Sequence, residues 1–205
     1  MRTERGLERI LFFSDAVVAI AITLLVLPLL ELRSDAHDGG VAHLLRAHDA
    51  ELLAFGLSFV VIGVLWVAQH RVMEVVDTYD STMLRLQLAW LATVAFLPFP
   101  TQLLGATDGD RGAYGLYIGT LLVSSLLLSG LAVHIDRTPA IRVADAPSDS
   151  RGGAWLTTAL FGVAFVLAVA TSLGMWSMLA MLLDGPIGWL LARRRRRAMQ
   201  SAPRR

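Results

Sequence analysis

Six stretches of mainly apolar residues, each about as long as the hydrocarbon core of a bilayer is thick, take up most of this 205-residue chain. They lie at roughly 10–31, 51–70, 84–104, 113–135, 154–172 and 174–192. A spanning helix needs about 20 such residues, because in lipid every backbone N–H and C=O must find its partner inside the chain. The expected fold class is an all-α integral membrane protein with six transmembrane helices, forming a single domain over residues 1–205. Hydrophobic residues make up 55% of the chain and charged residues 17%, which leaves no room for a soluble domain of ordinary size.

The first stretch, RILFFSDAVVAIAITLLVLPLLE (9–31), also carries Ser14, Asp15 and Thr23. An ionisable side chain at the centre of a spanning helix costs at least about 2.5 to 3.5 kcal/mol, so Asp15 points to a functional site or an obligatory polar contact. The stretch is longer than the apolar region of a signal peptide and reaches Pro28 and Glu31 without a small-residue cleavage site, so it is expected to remain in the mature protein. The chain has no cysteine, which excludes disulfides, thiolate metal sites and cysteine nucleophiles.

All basic residues other than histidine are arginines. Arg2, Arg5 and Arg9 precede the first helix, and Arg71 and Arg85 flank the second connection. Arg137, Arg142 and Arg151 lie in the fourth connection, and Arg193–Arg197 follow the last helix. The opposite connections hold only Arg33, Arg46 and Arg111. This bias places both termini in the cytoplasm and the protein in the cell membrane as a multi-pass protein. The five-arginine run reads as a topology anchor rather than a nucleic-acid site.

Residues three and four apart share a helix face, and on the first helix Arg9, Phe13, Ala16, Ile20, Thr23, Leu27 and Leu30 form one stripe. The seam is narrow, like the a/d positions of a bundle, and copies of it can line the axis of a symmetric oligomer. Asp15 falls off the stripe and is expected to face neighbouring helices, where a tryptophan, histidine or arginine can satisfy it. Arg9 can snorkel to the interface.

Arg9 followed by Phe13-Ser14-Asp15 and then AIAITLLVLP resembles the signature of the transmembrane protein 175 family of non-canonical potassium channels. WVAQHRVMEVVDTYDSTM (66–83) and FLPFP (96–100) are similar to further segments of that family; helices four to six match in layout only. The resemblance implies a six-helix subunit, a homotetramer in the prokaryotic branch, and a cation pathway lined by helix one. It implies a constriction of large aliphatic side chains at Ile20, with Thr23 and Leu27 as the next layers. It also implies a polar network that includes Arg9 and Asp15, within the motif set Arg9, Phe13, Ser14, Asp15 and Trp66.

No TVGYG-like loop occurs, so any selectivity must come from side chains. A ring of Ile20 forces a cation to shed hydration, which favours potassium over sodium; Thr23 hydroxyls can replace part of the lost shell. The expected partners are therefore potassium ions, held transiently near Ile20 and Thr23 without a tight metal site, together with membrane lipid and further copies of the chain. No cofactor and no nucleic acid are expected. Glu31, Asp35, Asp38, Asp49 and Glu51 outnumber Arg33 and Arg46 near the outer ends of helices one and two, and either concentrate cations or are simply solvated.

One departure from the family concerns a histidine often found three residues after the tryptophan equivalent to Trp66. Gln69 stands there, and His70 is turned away by about 100 degrees, so the histidine's role is not carried over. Asp184, before Gly185 and Pro186, reads as a helix-break residue or as an ion ligand. Enzyme motifs are absent. The rival function is a proton-coupled secondary cation transporter using Asp15 and Asp184, although the inverted repeats common in that class are not visible.

Overall fold

A computed structural model describes residues 4–32, 40–107 and 110–143. The fifth and sixth expected spans, Asp184 and the Arg193–Arg197 run lie outside the described residues. Among the described residues seven α-helices follow one another: α1 (Glu4–Leu24), α2 (Leu27–Glu31), α3 (Gly40–Ala47), α4 (Asp49–Met73), α5 (Ser81–Phe96), α6 (Pro98–Ala106) and α7 (Arg111–Arg137). Among the described residues, four helical stretches are long and apolar enough to cross a membrane: Arg5–Glu31, Asp49–Met73, Ser81–Ala106 and Arg111–Arg137.

Two expected single helices are broken, and proline explains both breaks. The first, expected over 10–31, starts earlier and interrupts at Leu25 and Val26. Pro28 has no N–H for the Leu24 carbonyl and its ring crowds that turn, so the chain tightens instead, with Leu25 N–H donating to Ile22 O (3.3 Å) and Val26 N–H to Thr23 O (3.2 Å). The third, expected over 84–104, divides at Leu97. Pro98 cannot donate to Val94 O, which accepts from Leu97 N–H at 3.2 Å instead. Expected bounds of 51–70 and 113–135 extend to Asp49–Met73 and Arg111–Arg137, because Asp49, Glu51, His70 and Arg71 suit the dipole ends of α4 and Asp110 caps α7 through Ala113 N–H at 3.0 Å. The short helix α3 in the connection after α2 was not expected from the sequence.

The core lies between α4, α5 and α7, where Ile62, Leu65, Met83, Trp90, Tyr117, Ile118, Leu121 and Leu131 are fully buried. The helix α5 packs most extensively on α7, and α1 leans mainly on α5. A buried polar junction ties the other end together: Ser58 Oγ of α4 lies 2.8 Å from Thr101 Oγ1 of α6 and donates to Tyr117 OH of α7 at 3.1 Å. The helices α4 and α6 meet closely at Gly105, where an added Cβ would stand 3.1 Å from Glu51 Cα and 3.0 Å from its Cγ. Because backbone as well as side chain must give, Gly105→Ala is expected to lower stability by about 1 to 3 kcal/mol, read as a reduced thermal midpoint in detergent.

At the opposite end, the connection 74–80 pairs with the segment after α7. Val76 and Arg142 form an antiparallel bridge; Asp77 N–H donates to Ile141 O at 3.0 Å and Val143 N–H to Val75 O at 3.1 Å. Arg142 also holds the buried Asp136 carboxylate at 2.8 Å. Arg5, Arg9, Arg71, Arg85, Arg137 and Arg142 all belong to this end, which places the charge bias seen in the sequence on one side of the bundle.

Asp80 serves two elements here. Its Oδ1 accepts from Met83 N–H at 2.7 Å, capping α5, and its Oδ2 lies 2.9 Å from His134 Nε2 of α7. Burial by itself would raise its pKa, but the Met83 N–H and then His134 outweigh that and hold the carboxyl below its ordinary value of 3.8. Its contribution to stability is therefore complete above the unfolded value and is lost as pH falls through the lower folded one. Asp80→Ala is expected to cost about 1 kcal/mol at neutral pH, with the gap to wild type closing in strong acid, as measured by thermal unfolding.

Candidate functional site on the first helix

The first span buries one narrow face and leaves most of its surface exposed, Phe12, Asp15, Ala19 and Leu24 included. Ser14, Val18, Ala21 and Leu25, spaced four, three and four apart, are buried against the bundle. Every residue of the opposite stripe, Arg9, Phe13, Ala16, Ile20, Thr23, Leu27 and Leu30, is exposed. Ile20 is 57% exposed, although it sits in the middle of an apolar helix with neighbours available on the far side. The outward face is thus large, apolar and uncovered within the described residues of the subunit, a pattern that marks contact with lipid or protein.

The polar residues of α1 are placed by their phase on this helix. Ser14 is 1% exposed; its hydroxyl donates to Ile10 O at 2.8 Å and accepts from Gln87 Nε2 of α5 at 2.8 Å. Asp15, one residue on, lies at the edge of the bundle and its Oδ1 accepts from Trp66 Nε1 of α4 at 2.8 Å. The two contacts pin one turn of α1 to two different helices. Trp66 in turn stacks on His70, with ring centroids 5.5 Å apart. Gln69 is buried at 2% exposure while His70 is exposed, as the 100-degree step between neighbouring helical positions requires.

Arg9 is exposed and has no ion pair among the described residues. The structure therefore brings Ser14, Asp15 and Trp66 into contacts across helices and leaves Arg9 and Phe13 on the outward face. Thr23 is also outward, with its hydroxyl donating to Ile20 O at 2.8 Å. That bond uses the one donor and leaves the oxygen lone pairs for another ligand. Among the described residues, no group of three histidine or acidic side chains could hold a metal ion.

Sequence reasoning did not single out Gln87, the partner of Ser14, or the pair of Asp80 and His134. Gln87 was detectable as a lone amide in an apolar span, since such a group needs a partner. The second pair joins residues 54 positions apart, and no local pattern announces it.

Residues 9–98 match the family described as Endosomal/lysosomal potassium channel TMEM175. A potassium channel of Streptomyces collinus is 36% identical over 134 residues, covering 63% of this chain and 65% of that protein. A potassium channel of Chamaesiphon minutus is 37% identical over 134 residues, 62% of this chain and 64% of that one. The endosomal/lysosomal proton channel TMEM175 of Homo sapiens is 33% identical over 100 residues, 47% of this chain but 19% of the human protein. The matched region thus spans just under two thirds of the two bacterial relatives. The crystal structure of a lysosomal potassium-selective channel TMEM175 homologue from Chamaesiphon minutus superposes with a TM-score of 0.73 at 29% identity, covering 88% of this chain and 97% of that one.

Proposed function

We propose, for a chain whose residues 9–98 belong to the TMEM175 family, that it is the subunit of a potassium-permeable, modestly selective cation channel. The observation that carries this reading is the uncovered stripe of α1. Its seven positions, five on α1 and two on α2, face away from the described helices of the subunit, and self-association buries such a face while enclosing an axis. Four copies arranged with α1 innermost bring four Ile20 side chains to one level, with Thr23 and Leu27 in the layers beyond.

A ring of isoleucine offers no ligand, so a passing cation loses hydration without full replacement, and potassium loses it at lower cost than sodium. The Thr23 oxygens, aimed outward with their donors already used, supply part of the missing shell. Ser14 is buried behind this surface and Asp15 lies exposed at the edge of the bundle. Through Trp66 and Gln87 they fix the rotation of α1, which decides the side chains that meet the axis. The arginine-rich end faces the cytoplasm in this reading, with both termini inside the cell membrane and lipid around the outer helices.

The human relative, named a proton channel, and the acidic Asp15 motivate a second reading, proton-coupled cation transport. Flux from liposomes holding the purified full chain separates the two. A channel gives downhill potassium flux without a proton gradient, at a higher rate than sodium. Flux that appears only with a proton gradient replaces the channel by the transporter.

A further inference from the structure

We propose that His134 and Asp80 form a proton-operated latch at the arginine-rich end of the bundle, in which a proton on His134 clamps the connection 74–80 onto α7. The effect of the latch on conduction rests on the reading of α1 as the pore helix; the latch itself does not. The histidine Nε2 lies 2.9 Å from Asp80 Oδ2, and the two side chains are 23% and 20% exposed, within reach of protons from solvent. With the imidazole protonated the contact is an ion pair, stronger than the hydrogen bond of the neutral ring. Histidine is the side chain whose charge changes between about pH 5 and 8.

The clamped connection also bears on α1. Tyr79, next to Asp80, lies over Gly6, its hydroxyl 2.7 Å from where a Cβ of residue 6 would stand. Asp77 and Thr78 N–H both donate to Ile141 O, at 3.0 and 3.4 Å. One short segment thus contacts the first turns of α1, caps α5 and grips the end of α7. Loosening His134 from Asp80 releases the segment at its α7 contact and changes what Tyr79 presses on.

The other charged groups around this end have separate engagements or point to solvent. In the 74–80 connection, Glu74 lies 3.7 Å from His70 and Asp77 is exposed. On α5, Arg85 turns back to Ser81 O and Thr82 Oγ1, both at 3.2 Å. At the end of α7, Asp136 is paired with Arg142 and Arg137 is exposed. On α1, Arg5, Glu8 and Arg9 are exposed. Among the described residues, Asp80 is the charged group bonded to His134.

The test uses the full chain in lipid nanodiscs and compares wild type with His134→Gln, which can still hydrogen-bond but does not titrate. Amide exchange at Asp77 and Thr78, corrected for intrinsic rates, is expected to lose about twofold to fivefold of its protection in wild type between about pH 5.5 and 8, the range of a partly exposed ion pair. In His134→Gln the protection is expected to be flat. The same slope in both proteins, or no slope in wild type, overturns the latch. If the variant does not fold, the His134 ring followed by NMR in wild type decides: its titration must coincide with the loss of protection, and a ring that does not titrate there overturns the proposal. In liposomes, the dependence of flux on pH at the arginine-rich side is expected to vanish in His134→Gln. Absence of all flux with a titrating latch would reject the channel reading and leave the latch standing.

Discussion

Ile20→Asn is expected to lower the ratio of potassium to sodium flux about tenfold, equivalent to about 1.4 kcal/mol of discrimination, while potassium flux itself persists. In the proposed channel an isoleucine ring would offer neither ion an oxygen, so the difference in hydration cost would be left uncompensated. An amide at the same level supplies oxygens to both ions and admits water, and that difference shrinks. The position is suited to a clean test because Ile20 is 57% exposed and packs little against the described residues, so the change should leave their packing intact. Paired flux measurements in potassium and sodium gradients read the ratio. An unchanged ratio would remove Ile20 from the conduction path.

Ser14→Val is expected to cost about 1 to 3 kcal/mol, because it strands the Gln87 amide that donates to Ser14 at 2.8 Å. Gln87 is fully buried, so no solvent replaces the lost acceptor. Adding Gln87→Leu should recover most of the loss, since exchanging both partners for apolar groups of similar shape can be nearly neutral. Thermal unfolding of the two single variants and the double variant in the same detergent gives the coupling. If the double variant is no better than Ser14→Val, the serine contributes by its size and not by the bond. In the channel reading, Ser14→Val also loosens the rotation of α1 and should reduce flux more than its stability loss explains.

The same helix shows where reading the sequence succeeds. Period and polarity on α1 assign the stripe through Ile20 to one face and Asp15 to another, and in the structure that stripe is exposed while Asp15 meets a tryptophan. Helical geometry is local, so spacing alone carries this information. The breaks before Pro28 and Pro98 were equally visible as prolines inside apolar runs; the expected single helices overlooked them. The helix α3 was harder to foresee, because GVAHLLRA is short and follows a Gly-rich stretch.

Sequence alone determined that the chain is helical and built for a membrane, and which face of the first helix stands apart. Length, hydropathy and the 3.6-residue turn are properties of single segments. It did not determine that Asp15 is met by Trp66 of α4, that Gln87 is the partner of Ser14, or that His134 closes on Asp80. Those pairings depend on the relative depth and rotation of helices far apart in the chain. They are settled by how α4, α5 and α7 pack around Trp90 and Tyr117, a choice made by side-chain shape across the whole bundle.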